Sequence, residues 1–364
     1  MSLPHVHLFV ERDRFGNPHG SGHIRLLRPF THPSLSDHLR VTSEDTALAG
    51  GADVVIVERG WRADASLDSV ADLVRRIRQS GAKYIYTLDD NLLDLHVDEP
   101  WREFSTDMKR NIVRYFVRCA DCVVVSTKPL KQRLLGLNGN IRVVPNALDE
   151  RLFLSDAQEP WMARCARRDK IVIGYMGTHS HLEDLMMILE PLRTILREHA
   201  SRVEFQMVGI SADPRVCECF DSLPFRALST DGNHFYTDFV PWAKASLHWD
   251  IAIAPLADSG FNRSKSDIKY LDYALLGIPG IYSQVDAYME SVEHGNTGWL
   301  CRNDQKSWYE ALVGLLSSQE LRVRLAQGAF RRVSETRLLS HCTNEWLNVI
   351  QELTGSGARC SLMR

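Results

Sequence analysis

Short runs rich in β-branched residues alternate with stretches whose apolar residues recur every three or four positions, and this alternation spans most of the 364 residues. A chain so patterned folds as parallel strands joined by crossover helices. In the first part the strand runs are Val6–Glu11, Leu39–Thr42, Asp53–Glu58, Lys83–Asp90, Cys122–Thr127 and Ile141–Pro145. Between them, Leu67–Gln79 and Glu103–Arg118 carry the one-sided apolar stripe of helices packed on a sheet. Residues 1–150 therefore read as one doubly wound, Rossmann-like unit.

The periodicity lapses after Asn146, in a stretch holding Pro160, Trp161 and the basic cluster Arg164, Arg167, Arg168 and Lys170. Residues 151–169 read as a linker. The pattern resumes with Ile171–Gly177, a helix over His181–His199 and a strand over Val203–Gly209. Further strands are expected at Phe235–Phe239, Asp250–Pro255, Gly280–Ser283 and Gly298–Cys301, with helices over Ser266–Leu276, Asp304–Ser317 and Leu321–Glu335. Residues 170–335 form a second Rossmann-like unit on this reading. The length agrees, since one hydrophobic core seldom serves a chain this long. Two doubly wound α/β domains facing each other across a cleft are the expected architecture. Residues 336–364 end the chain, and Leu338–Leu353 has the pattern of an amphipathic helix.

Charge and composition exclude several classes. A formal net charge of −3, without a long basic run, gives no general attraction for nucleic acid. No apolar stretch approaches the roughly 20 residues that span a bilayer, and the start lacks the pattern of a signal peptide, so a cytoplasmic protein is expected. A peripheral contact with the inner face of the membrane stays open because of the basic linker. The 8 cysteines include only Cys119/Cys122 and Cys217/Cys219 as close pairs, which is not the spacing of a four-ligand zinc site. Neither a His-Glu-x-x-His pair, a Gly-x-Ser-x-Gly elbow nor a phosphate loop ending in Gly-Lys-Ser/Thr occurs. No metal and no bound cofactor are expected.

Open α/β sheets bind ligands beyond the carboxyl ends of their strands, so segments that follow strands are the candidates for chemistry. One is Gly174-Tyr-Met-Gly177-Thr178-His179-Ser180-His181-Leu-Glu-Asp184, a strand running through small residues into a helix start. Glycine permits close backbone approach, and a helix start offers free amides to an anion, although strand-to-helix turns need glycine for geometry alone. A second is Phe261-Asn-Arg-Ser264-Lys265-Ser266-Asp-Ile-Lys269-Tyr-Leu-Asp272, followed by the helix stop Leu276-Gly277-Ile-Pro279. A helix here presents Lys265, Lys269 and Asp272 on one face, suited to a diphosphate and a ribose or, more blandly, to solvent. A third is Thr87-Leu88-Asp89-Asp90-Asn91, two acids at a strand end that can take a proton, bind sugar hydroxyls or cap a helix. Gly20, Ser21, Gly22 and His23 form a candidate acceptor or donor loop after the first strand, followed by Arg25 and Arg28.

The stretch Lys265-Ser-Asp-Ile-Lys269-Tyr-Leu-Asp272-Tyr-Ala-Leu-Leu-Gly277-Ile-Pro279, with Gly295-Asn-Thr-Gly298-Trp-Leu after it, resembles the donor region of retaining family 4 glycosyltransferases of the GT-B fold. It is most similar to the bacterial branch acting on surface polysaccharides, whose pattern is Lys-Ser-x-x-Lys-Tyr-x-Glu-Tyr-x-x-x-Gly-x-Pro. Val144-Pro145-Asn146-Ala147, Leu88-Asp89-Asp90 and Gly174–Asp184 resemble further motifs of the family. The family's two glutamates, with seven residues between them, fall by this alignment at Ser264 and Asp272, both departures from glutamate.

The resemblance implies transfer of a sugar from a nucleotide-sugar donor to a glycan or lipid-linked acceptor, with retention and without metal. It places Lys265 and Lys269 at the leaving diphosphate and Asp89 and Asp90 at the active site. Gly177, Thr178, His181, Ser264, Ser266 and Asp272 would contact the donor. It also implies that the last helix crosses back to the N-terminal domain. Two other readings stand beside it: a catalytically silent subunit binding sugar nucleotide or glycan, suggested by Ser264 and Asp272, and a nucleotide-sugar epimerase on the same fold.

Overall fold

The computed structural model describes residues 3–13, 15–43, 48–94, 107–154, 169–178, 181–209 and 214–355. The chain divides into two compact units, one made of Met1–Asp149, Ser264–Ser266 and Leu338–Arg364, the other of Glu150–Arg263 and Asp267–Arg337.

The first unit is built on six parallel strands: β1 (His5–Phe9), β2 (Arg40–Ser43), β3 (Val54–Glu58), β4 (Lys83–Leu88), β5 (Cys122–Val125) and β6 (Ile141–Val143). Their order across the sheet is β2-β1-β3-β4-β5-β6. Val54, Val55, Ile56 and Val57 are all buried, as expected of a central parallel strand covered on both faces. The helix Leu67–Ser80 starts where Ser66 and Ser69 cap each other reciprocally, and ends at Gly81 in the left-handed conformation. Its buried Val70, Leu73, Val74 and Ile77 follow helical spacing. The helix Leu339–Thr354 belongs to this unit: Trp346, Leu347, Val349 and Ile350 join Val6, Leu8, Phe30 and Val54 in one core, with Trp346 5.2 Å from the Phe30 ring.

The second unit repeats the plan with β7 (Ile171–Gly177), β8 (Val203–Gly209), β9 (Phe225–Leu228), β10 (Ile251–Ala254), β11 (Gly280–Ser283) and β12 (Trp299–Cys301), in the order β12-β11-β10-β7-β8-β9. Its core gathers Ile173, Tyr175, Phe205, Ile251, Ile253 and Trp308.

Two expectations change: the helix expected over His181–His199 runs as two, Leu182–Met186 and Leu189–Glu198, and one strand lies elsewhere. Phe235–Phe239, expected as a strand, opens the helix Tyr236–Ser246, in which Val240 and Ala243 face inward three residues apart. The strand is instead β9, whose Phe-Arg-Ala-Leu lacks β-branched residues; it is held by register with β8 and by Phe225 packing on Phe205 and Phe220 at 5.7 and 5.1 Å. Tertiary packing overrides propensity here. Most of the expected linker, with Pro160, Trp161, Arg164, Arg167 and Arg168, lies outside the described residues, as do 103–106 and 356–364.

β7 passes directly over the Trp249 indole, and a Cβ built on Gly174 would lie 1.7 Å from that ring. Trp249 is fully buried and donates to Gln206 Oε1 at 3.1 Å, so it has little room to yield. Gly174→Ala is expected to lower unfolding stability by about 1–3 kcal/mol, the usual cost of overpacking. Chemical denaturation of the two proteins checks this, and equal midpoints would show that the ring moves freely.

Candidate active site

In the second sheet the strand order reverses between β7 and β10, and the carboxyl ends of that pair are where an open α/β sheet accepts a ligand. The backbone is bare there. Gly209, at φ 100°, sits so close to Gly177 that a Cβ on it would meet the Gly177 carbonyl at 1.9 Å. Just beyond Gly177 and Thr178, His181 leads into the short helix Leu182–Met186.

Asp184 is 3% exposed and organises the loops around it. Its Oδ1 accepts from the Ala257 amide at 2.7 Å and from Asn262 Nδ2 at 3.0 Å, both in the segment that follows β10. Its Oδ2 lies 2.7 Å from His181 Nδ1, and His181 Nε2 lies 3.0 Å from Lys269 Nζ. An ammonium only donates, so Nε2 is the acceptor and Nδ1 carries the hydrogen given to Asp184. The chain Asp184–His181–Lys269 thus holds a neutral imidazole in one tautomer and a cation, 8% exposed as a residue, at the switch point.

Asp272 stands one turn along the helix Ile268–Leu275 from Lys269. The residue keeps some surface, but its Oδ1 is buried without a hydrogen-bond partner among the described residues. Desolvation pushes its carboxyl up to about 7, against the opposing pull of Lys269. Tyr273 bridges the same strand pair, accepting from the Met176 amide and donating to the Ile253 carbonyl.

The first sheet reverses between β1 and β3, and here too charge collects at the strand ends. Glu58 is 1% exposed; its Oε2 accepts from the Glu11 amide at 2.9 Å, and its Oε1 has no hydrogen-bond partner among the described residues. Desolvation, then the neighbouring Glu11 and Asp89, raise its carboxyl to about 8. Arg59 follows at φ 45°, with Trp61 at φ 64°, conformations that side-chain-bearing residues seldom adopt. The turn is pinned by Glu11 Oε1, which accepts from the Gly60 amide, and by Tyr86, whose hydroxyl donates to the Arg59 carbonyl.

Held this way, Arg59 reaches Glu11 Oε2 at 2.9 Å, Asp89 Oδ1 at 3.2 Å and Asp90 Oδ2 at 3.8 Å. Burial opposes its charge, but the acids, Asp89 foremost, outweigh that and raise its pKa. Asp89 is itself raised, by desolvation first, with Arg59 pulling the other way. Beneath them the buried Arg25 donates to the Val144 carbonyl and to Asn146 Oδ1 at 3.0 Å, and desolvation lowers it to about 10.

The sequence-derived candidates therefore fall into two groups. His181 and Lys269 touch, with Asp272, Gly177 and Thr178 in the same unit. Asp89 and Asp90 meet in the first unit around Arg59. Gly20, Ser21, Gly22 and His23 are helical rather than a loop: Gly20–Gly22 is a helical turn, continued by a wider turn over His23–Leu27. Lys265, Lys269 and Asp272 do not share a helix face, because the helix starts only at Ile268. Asp267, at the N-cap position, has its carboxylate held by Arg337 at 2.8 and 3.0 Å and by Ser291, and Asn262–Ser264 is a separate 3-10 turn. Ser264, Lys265 and Ser266 group with the first unit, where Thr127 donates to the Ser264 carbonyl and Asn146 Nδ2 donates to Ser266 Oγ. Glu11, Glu58 and Arg59 escaped the sequence reading, since each is a lone charge at a strand end with no motif around it. His179 and Ser180 lie outside the described residues.

Residues 170–318 match the family of glycosyl transferases group 1, a segment that includes Gly177, His181, Asp184, Lys269 and Asp272. No curated protein matches the chain by sequence. Sucrose-phosphate synthase from Thermosynechococcus elongatus is similar in structure, with a TM-score of 0.68 at 12% identity over 98% of this chain and 100% of that one. A glycosyltransferase from Rickettsia africae gives 0.66 at 12% identity over 97% and 99%. Anabaena HepE, solved with UDP and glucose, gives 0.64 at 14% identity over 96% and 100%. The fold is α/β of the GT-B type, and the matched domain together with that fold supports glycosyltransferase activity.

The Glu58 carboxyl gives a pH signature. Its folded pKa lies above the unfolded one, so its contribution to stability is fully present below about pH 4.5 and is lost as pH rises through about 8. Relative to wild type, Glu58→Gln is expected to match near about pH 4 and to gain about 2 °C or more in Tm above about pH 8. Thermal unfolding across that range measures it, and a gap independent of pH would show that Glu58 titrates normally.

Proposed function

We propose that the protein moves a glycosyl group from a nucleotide-sugar donor, held mainly by the C-terminal half of the chain, to a glycan or lipid-linked acceptor, with retention at the anomeric carbon and without a metal. The observation that carries this is the Asp184–His181–Lys269 chain at the switch point of β7 and β10, inside the segment matching glycosyl transferases group 1. As the bond from the anomeric carbon to the phosphate oxygen breaks, negative charge grows on the leaving diphosphate. A preorganised ammonium at that point lowers the barrier. Lys269 fills this role, with Lys265 as a second cation, and two lysines in place of a divalent ion are why we assign no metal. Among the described residues no cluster of three His, Cys, Asp or Glu is arranged to hold one.

Asp272, with an oxygen lacking a partner, is the acceptor we assign to the ribose hydroxyls. Gly177 and Thr178 take the donor's phosphates against bare backbone, with Ser264 and Ser266 as further donor contacts. Asp89 and Asp90, held by Arg59, serve the acceptor side, together with the Gly20–His23 turn. The resemblance of the Lys265–Pro279 stretch to retaining family 4 enzymes supports retention and a role in surface-polysaccharide assembly. No described helix is long and apolar enough to cross a membrane. Action in the cytoplasm, at the inner face of the membrane, fits the basic cluster at Arg164–Lys170 and a lipid-linked acceptor. A silent binding subunit is the second reading, favoured by the serine at position 264.

UDP is the first nucleotide to test, because HepE was solved with it. Without added metal, one of UDP, GDP and ADP is expected to raise Tm by about 2–4 °C at about a hundredfold excess over Kd. Lys269→Ala should abolish the shift and Lys265→Ala should reduce it. No shift with any of the three contradicts the donor site, whereas a shift without turnover of any nucleotide sugar selects the silent subunit.

A further inference from the structure

Parallel strands ordinarily bury both faces, and the edge pair β8–β9 departs from this. One face packs Phe205 and Phe225 into the core. On the other, Gln206 and Arg226 are register partners, and they open into a groove of about 530 Å³ between the strands and the helix Tyr236–Ser246. Trp242, Ser229, Asp231, Ser246 and His248 also line it. The volume is in the range of small-molecule sites.

Three features separate this groove from a merely solvated edge. Arg226 and Asp231 carry opposite charges, yet neither side chain has a hydrogen-bond or ion-pair partner among the described residues. Charge placed only to protect a sheet edge needs no such opposed pair. Asp231 is held at φ 50° in a turn closed by its own bonds, from the Asn233 amide and side chain to the Thr230 carbonyl and between Thr230 Oγ1 and His234. From this turn Asp231 lines the groove. Trp242 is half-buried and leaves part of its indole beside these polar groups.

We propose that the groove is a carbohydrate subsite that takes a neutral oligosaccharide segment. A pyranose offers hydroxyls that donate and accept in turn, matching the carboxylate, the guanidinium fork and the two serine hydroxyls. Its C–H face suits an indole, which combines an apolar body with a polar edge. A phosphate or acidic ligand fits poorly, because Asp231 offsets the charge of Arg226. Taking the bound segment to be part of the acceptor or product glycan rests on the transferase reading; the existence of the subsite does not.

The test is calorimetric titration of the full chain with maltohexaose, cellohexaose and chitohexaose, for wild type and for Trp242→Ala, Asp231→Asn and Arg226→Gln. At least one hexasaccharide should bind, with Kd raised about tenfold by each substitution while the thermal shift with nucleoside diphosphate is unchanged. Asp231 and Arg226 are exposed, so those two variants decide the matter if Trp242→Ala misfolds. Binding of none of the three sugars, binding that survives in the Asp231 and Arg226 variants, or displacement by inorganic phosphate overturns the proposal. Hexasaccharide binding lost in the variants, with no diphosphate shift in wild type, leaves the subsite standing and removes the transferase reading.

Discussion

A single buried carboxylate, Asp184, ties together the parts of the second unit that matter for chemistry. It accepts from the Ala257 amide, the Asn262 side chain and His181, and so binds the segment after β10 to the turn after β7. A carboxylate so enclosed is tolerable only with its acceptor sites filled. By accepting from His181 Nδ1 it fixes the imidazole tautomer and, through it, the seat of Lys269. Loss of Asp184 would free the imidazole and leave two loop donors without their acceptor.

The first unit meets the same demand with more strain. Glu11, Glu58, Asp89 and Asp90 crowd the ends of β1, β3 and β4, and Arg59 is forced to φ 45° to reach three of them. Desolvation raises Glu58 and Asp89 in spite of that cation. Both units therefore concentrate buried charge where their strand order reverses, the place an open α/β sheet offers a ligand. The units differ in what they present, an imidazole-seated ammonium in one and a carboxylate pair clamped by a guanidinium in the other.

Much of this was legible beforehand. The β-branched runs at Val54–Val57 and Ile171–Ile173 announce buried parallel strands, and the Lys-x-x-x-Lys stretch with its Gly-x-Pro stop marks Lys269 and Asp272. Other features depend on contacts between distant residues. β9 forms because Phe225 meets Phe205 and Phe220, which its four residues do not disclose. Asp267, just before the helix start at Ile268, is held by Arg337, 70 residues away. Glu11, Glu58 and Arg59 become a cluster only when β1, β3 and β4 lie side by side, and Asp184 stands in the sequence as a helix-start acid without any sign of the three hydrogen bonds it accepts across two loops.

The central claim is that Lys269, seated by His181 and Asp184, carries the charge of a departing diphosphate. The most direct measurement is release of nucleoside diphosphate from UDP-, GDP- and ADP-linked sugars by the wild type and by Lys269→Met. The account predicts release from donors of one base, falling about a hundredfold or more in the variant, as when a group stabilising the transition state is removed. Equal release by both proteins, or none from any donor, would contradict it.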